Sequence, residues 1–170
     1  MRQIAIRLLP RLAAAAILLG LAACAPAPIY KAGASAANVP PSTVASQPER
    51  FAGQSVIWGG RIVVINNLPD HSEIEVLAYP LDGSQRPKAN DVGSGRFIAE
   101  LPGFVEPLDY PAGSLITISG ALNGSRAGTV GEASYVFPLV KVGQSHVWTA
   151  EEMRSGHPNI SFGLGVGIIR

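Results

Sequence analysis

Cys24 is the only cysteine in a chain of 170 residues, and it stands directly after an apolar run. Both facts limit what the chain can fold into. The sequence starts with Arg2, Arg7 and Arg11 and continues in apolar residues from Leu12 to Ala23, broken only by Gly20. That is the charged-then-apolar layout of an export signal, and the run is shorter than the roughly 20 residues a membrane-spanning helix needs. An exported domain with one cysteine has no intramolecular disulfide. Whatever folds beyond Cys24 is held by packing and hydrogen bonds alone.

The end of the apolar run, Leu21-Ala22-Ala23-Cys24, resembles the lipobox of bacterial lipoprotein precursors. There, small residues such as Ala22 and Ala23 let the signal peptidase reach the backbone. The resemblance implies that residues 1–23 are a signal peptide and that the Cys24 thiol takes a diacylglyceryl group. The chain is then cut before Cys24, and the new amino terminus is acylated. Each buried methylene contributes roughly 0.8 kcal/mol, so three acyl chains anchor the protein permanently in membrane lipid. An ordinary secretory signal with a chance cysteine, or a transmembrane anchor, are the competing readings. Ala25 follows; aspartate at that place commonly retains lipoproteins in the inner membrane of enteric bacteria, so alanine points to the outer membrane and its periplasmic face.

Three of the 13 basic residues precede Cys24, leaving 10 against 12 acidic ones and a formal charge of −2 beyond it. A nucleic-acid-binding domain needs a basic face to neutralise phosphates, and this composition supplies none. Residues 24–47 are rich in Ala, Pro, Ser and Gly with almost no charge. Such a segment buries too little surface to offset its ordering entropy and is expected to be a flexible tether. The domain is expected at 48–149, with a Gly-rich apolar tail at 150–170.

Five strands are expected within the domain. Gln54 to Ile65 is apolar on both faces and carries Gly59-Gly60, which permit a bend or a bulge. Asn66 to His71 is a turn. Glu73 to Tyr79 alternates, with Ile74, Val76 and Ala78 on one face. Gly95 to Leu101 places Phe97 and Ala99 toward a core. Pro102, Pro107 and Pro111 prevent a helix in the next connection. Leu115 to Leu122 follows, then a turn-rich connection from Asn123-Gly124 to Ala133. Ser134 to Val142 is the fifth strand, with Pro138 marking an edge or bulge, and His146 to Trp148 closes the domain. A long, kinked first strand among five suits an all-β, small five-stranded Greek-key barrel of the OB type; a β-sandwich is the alternative.

The residues also resemble a known group, the Slp family of outer-membrane lipoproteins, named for a starvation-inducible member. The resemblance spans roughly Val39 to Trp148 besides the lipobox. It is carried by Phe51-Ala52-Gly53-Gln54 leading into Val56-Ile57-Trp58-Gly59-Gly60, and by Glu75-Val76-Leu77-Ala78-Tyr79-Pro80-Leu81. It continues in Gly95-Arg96-Phe97, Pro102-Gly103-Phe104, Asp109-Tyr110 with Gly113, Thr117-Ile118-Ser119-Gly120, and Gly131-Glu132 before Tyr135-Val136-Phe137-Pro138. It implies a lipid-anchored outer-membrane protein linked to stress or stationary phase, with no catalytic residue to carry over.

Residues that could carry chemistry are sparse. His71, His146 and His157 stand far apart, with no acidic or histidine partner at metal-ligand spacing, so no metal or cofactor is expected. Glu73 and Glu75 share one strand face, which reads as a solvated face. No nucleophile elbow occurs, and Asn123-Gly124-Ser125 is most simply a turn. Gly163, Gly165 and Gly167 have the wrong spacing for a phosphate loop. Trp58, Tyr79, Phe97 and Tyr135 could line a ligand-binding face as stacking aromatics do on OB barrels, but core packing is the favoured reading. Phe162, Leu164, Val166 and Ile168 alternate with glycines, a pattern that would let the tail add a strand, meet the bilayer or dock on an envelope protein, with a poorly ordered tail as the equal alternative. The expected role is therefore non-enzymatic: a structural or interaction protein of the envelope, or a binding module for a small ligand, glycan or lipid.

Overall fold

The computed structural model describes residues 27–31 and 37–155. The signal, Cys24, Ala25, His157 and the tail at 161–169 lie outside the described residues. Five strands form the fold: β1 (Ser55–Asn67), β2 (His71–Tyr79), β3 (Arg96–Pro102), β4 (Leu115–Val130) and β5 (Ala133–Trp148). They close into a barrel in the order β1-β2-β3-β5-β4. Four pairings are antiparallel, and β3 joins β5 in parallel. This is the expected small Greek-key, OB-like barrel. Its closure excludes a sandwich of two open sheets.

Alternation along the strands makes the core. Val56, Trp58 and Ile62 of β1 point inward, as do Ile74, Val76 and Ala78 of β2, and all are buried. Phe97, Ala99 and Leu101 of β3, Ile116, Ile118 and Leu122 of β4, and Val140 of β5 complete the cluster. Each fully buried large aliphatic or aromatic side chain contributes about 1.5–3 kcal/mol. Trp58 packs against Phe97 with ring centres 5.2 Å apart.

The first strand pairs with β4 from Ser55 to Arg61 and with β2 from Gly59 to Asn67, so both its edges are occupied around Gly59 and Gly60. There the glycines serve close approach. A Cβ on Gly59 would lie 2.7 Å from the Ile116 carbonyl oxygen, and one on Gly60 would collide with the Leu77 carbonyl. The bulge falls slightly later, between Ile62 and Val64.

The second half departs from expectation. Asn123-Gly124 does not turn the chain: Gly124, at φ 91°, sits in a register shift between Leu122 and Ser125. β4 runs on to Val130, the hairpin turns at Gly131-Glu132, and β5 extends through His146 to Trp148. Gly131, at φ 60°, holds the first central position, the place a type II′ turn reserves for glycine. Pro138 lies opposite Ser125, beside the shift.

Within the tether expected at 24–47, the described residues Tyr30 and 37–47 pack on the barrel instead. Helix α1 (Pro41–Ser46) buries Pro41 and Val44, and α2 (Pro48–Phe51) buries Phe51. Ala37 N–H donates to the Ser55 carbonyl at 2.8 Å, and Ser42 N–H donates to that of Ser94 at 3.1 Å. Tyr30 is buried as well. A few apolar residues suffice because the closed barrel offers a preformed surface, so little extra ordering is needed. At the other end, α3 (Ala150–Ser155) occupies the start of the expected tail.

Gly60→Ala is expected to destabilise the barrel by about 3 kcal/mol or more, since backbone must yield. Gly83, which has no atom within 4 Å of an added Cβ, is the control: Gly83→Ala should stay within about 0.5 kcal/mol in denaturant titration.

Candidate functional site

The proposed aromatic face divides. Phe97 is fully enclosed behind Trp58 and is a core residue. Trp58 and the half-buried Tyr79 meet at a cleft of about 340 Å³, shared with Val39, Pro41, Ile57 and Leu81. The Trp58 indole N–H donates to the Val39 carbonyl at 2.8 Å, so the segment that follows the expected anchor builds one wall. Tyr135 stands elsewhere. Its hydroxyl accepts from Arg96 N–H at 2.8 Å, and its ring meets Phe137 edge-on.

Beyond that cleft, the 81–86 turn gathers both ends of the described chain. Asp82 accepts from the backbone N–H groups of Ser84 and Arg86 and from the Arg86 side chain, which shapes the turn. Gln85 then sits at φ 67°, the one non-glycine residue with positive φ among the described residues. Its side-chain amide pairs with the Tyr30 backbone: Tyr30 N–H donates to Oε1 at 2.8 Å, and Nε2 donates to the Tyr30 carbonyl at 2.9 Å. Thr117 Oγ1 donates to the Gln85 carbonyl and accepts from the Trp148 indole. Burial, with Tyr110 nearby, pushes the Tyr30 phenol well above its ordinary range. Thr149 and Glu152 cap α3 reciprocally, Glu152 is buried, and His146 Nε2 lies 3.2 Å from its carboxylate.

At the opposite end is an ion-pair network. Glu73, on the outer face of β2, has only 7% of its side chain exposed. Arg126, reaching over from the β4–β5 hairpin, grips both its oxygens at 2.8 and 2.7 Å. His71 Nδ1 meets Asp70 at 2.8 Å, and its Nε2 lies 3.4 Å from Glu73. Glu100 stands beside Glu73 in the β2–β3 register and accepts from Asn123. Glu75 pairs with Arg96.

Two expectations are thereby corrected. Glu73 is not on a solvated face, because Arg126 covers it. His71 and His146 do have acidic partners. His71-x-Glu73 places both side chains on one strand face, a period-2 spacing that a search for helical ligand spacing passes over.

The ligand atoms of His71, Glu73 and Glu100 lie within 4.8 Å of one another. Both Glu73 oxygens are already held by a bidentate guanidinium, however, and Lys141 lines the adjoining cavity. The geometry therefore serves to clamp the hairpin onto β2. The Arg126 hydrogen bonds outweigh burial and hold the Glu73 carboxyl below its ordinary range. The Asp70 and Glu73 carboxylates raise the basicity of His71.

A closed five-stranded barrel following a lipobox-like segment defines a lipoprotein of the β-barrel class, and no helix among the described residues is long and apolar enough to cross a membrane. The model of the outer membrane lipoprotein Slp family matches residues 21–164, and the chain belongs to that family. It is 28% identical to outer membrane protein Slp of Escherichia coli (strain K12) over 148 residues, covering 85% of this chain and 78% of that one. It is 32% identical to the uncharacterized lipoprotein YeaY of the same organism over 99 residues, 58% of this chain and 51% of the relative. An uncharacterized protein of Haemophilus influenzae is 35% identical over 97 residues, 56% of this chain and 52% of its own. The matches thus span about half the length of the latter two. Membership of this family makes this an outer-membrane, lipid-anchored protein.

Arg126→Gln should strand the Glu73 carboxylate and cost on the order of 2 kcal/mol at neutral pH. In the parent, the lowered Glu73 pKa contributes stability that is present above the ordinary value of 4.5 and lost as pH falls through the lowered one. In the variant the stranded charge is relieved by protonation, so the deficit should shrink as pH falls below that range. A deficit constant across pH in denaturant titrations would contradict the clamp.

Proposed function

We propose that this chain is a periplasm-facing, non-enzymatic lipoprotein whose barrel has a structural or protein-interaction role in the cell envelope, engaged in stress or stationary phase. One observation carries the reading. On the 67–71 turn and the 103–110 connection, apolar side chains stand exposed on segments that hydrogen bonds hold in place. Phe104 is 69% exposed, Leu108 82% and Leu68 40%. Asn67 donates to the Val105 carbonyl, Ser72 Oγ donates to that of Gly103 and accepts from Val105 N–H, and Gly103 N–H donates to Asp70. Apolar groups on an ordered rim bind a partner without a large ordering cost. The resemblance to a family named for a starvation-inducible member supports the link to stress, and the lipobox-like Leu21-Ala22-Ala23-Cys24 supports the anchor at Cys24.

A second reading has its own support. The Trp58–Tyr79 cleft, about 340 Å³ and largely apolar-lined, falls within the size range of small-molecule sites. It would take a small ligand, glycan or lipid.

The two readings separate experimentally. In a deletion strain tested in stationary phase and under envelope stress, complementation should require Cys24 and fail with Cys24→Ser. A Phe104→Ser, Leu108→Ser double variant should also fail and lose its envelope cross-links, whereas Tyr79→Ala should complement. If Tyr79→Ala alone fails while the double variant complements, the cleft carries the function.

A further inference from the structure

The docked position of Tyr30 fixes how far the barrel can stand from the membrane, an inference that rests on acylation of Cys24. A tether running to Pro48 would leave the domain free to tumble above the bilayer. Tyr30, however, is only six residues beyond Cys24, and its backbone is bound on both sides by the Gln85 amide. Six residues reach at most about 22 Å at roughly 3.6 Å each. If Tyr30 were released, the next of the described residues tied to the barrel backbone is Ala37, bonded to Ser55. That would lengthen the leash to 13 residues, about 47 Å.

Gln85 holds this short leash at a cost. A non-glycine residue in the left-handed region is strained, and such strain persists only where surrounding contacts enforce it. Here the contacts are the Asp82-centred turn, the Thr117 hydroxyl on the Gln85 carbonyl and the Trp148 indole behind Thr117. Among the described residues, the Gln85 side chain itself hydrogen-bonds only the Tyr30 backbone. Its effect is to aim one side-chain amide at Tyr30.

We propose that the 81–92 loop is a membrane-proximal clasp, and that Gln85 and Tyr30 seat this end of the barrel on the phospholipid surface. The opposite end, with the Gly131-Glu132 tip and the Phe104 loop, then faces away from the lipid. Lys31 and Lys88, both exposed beside the clasp, lie next to the headgroups. The separation is large enough to matter. Along β2 from Tyr79, level with the clasp, to Glu73, under the hairpin, six residues span about 20 Å at roughly 3.3 Å each, and the hairpin tip lies beyond.

The test uses the full acylated chain in phosphatidylethanolamine–phosphatidylglycerol vesicles that carry a headgroup spin label. Cys24 is the only native cysteine, and acylation blocks its thiol. Lys31→Cys, Lys88→Cys and Glu132→Cys therefore each offer one site for a fluorophore. Probes at 31 and 88 should be quenched severalfold more than the probe at 132. Gln85→Gly keeps the positive φ allowed while removing the amide, and should abolish that difference; Tyr30→Ala should do the same. Equal quenching at both ends of the parent chain overturns the proposal, as does a difference that survives both variants. Fatty-acid labelling of the same samples separates the causes. A processed chain without acyl groups on Cys24 removes the lipoprotein reading and the proposal with it, whereas an acylated chain with equal quenching removes the orientation alone.

Discussion

Three register pairs, Ile98 with Leu139, Ala99 with Val140 and Glu100 with Lys141, join β3 to β5 in parallel and turn a five-stranded sheet into a closed barrel. The chain has no disulfide available to it and, within the described residues, only short helices. Closure is therefore what removes the sheet edges and completes the enclosure of Phe97, Ala99 and Val140. Without it, the inward faces of β3 and β5 would each lack a neighbour, and the surface on which α1, Tyr30 and the hairpin pack would not exist.

Closure also gives the molecule two unlike ends. One gathers Tyr30, the Gln85 turn, Thr117, Trp148 and α3 into a single hydrogen-bonded group, so that the incoming and outgoing segments meet at the same place. The other is tied by the grip of Arg126 on Glu73 and by the Asn67 and Ser72 bonds to the 103–105 loop, and it leaves Phe104 uncovered. In the orientation proposed above, this asymmetry would have a direct use: one end would manage the anchor and the other would face away from the lipid.

Much of this was legible in the sequence. Ile74, Val76 and Ala78 alternate plainly, as do Ile116, Ile118 and Leu122, and they form the core. Gly59-Gly60 marked the first strand as the one that bends, and Pro102, Pro107 and Pro111 kept the chain after β3 free of helix. What escaped reading depends on contacts between distant residues. Glu73 is buried only because Arg126 lies 53 residues further on and folds back over it. Asn123-Gly124 carries the strongest local turn signal, yet pairing on both sides makes it a bulge inside a long hairpin. Tyr30 gave no sign of docking, because its partner is a glutamine 55 residues away in an unusual backbone conformation.

The claim that the β3–β5 seam holds the barrel shut is tested most directly by native-state hydrogen exchange. Amides of Ile98–Glu100 and Leu139–Lys141 that bond across the seam should exchange only through global unfolding, with the same free energy as the β1–β4 core. Exchange there through a low-energy local opening, while β1 and β4 stay protected, would mean the barrel is an open sheet with a loosely resting edge and would contradict the account.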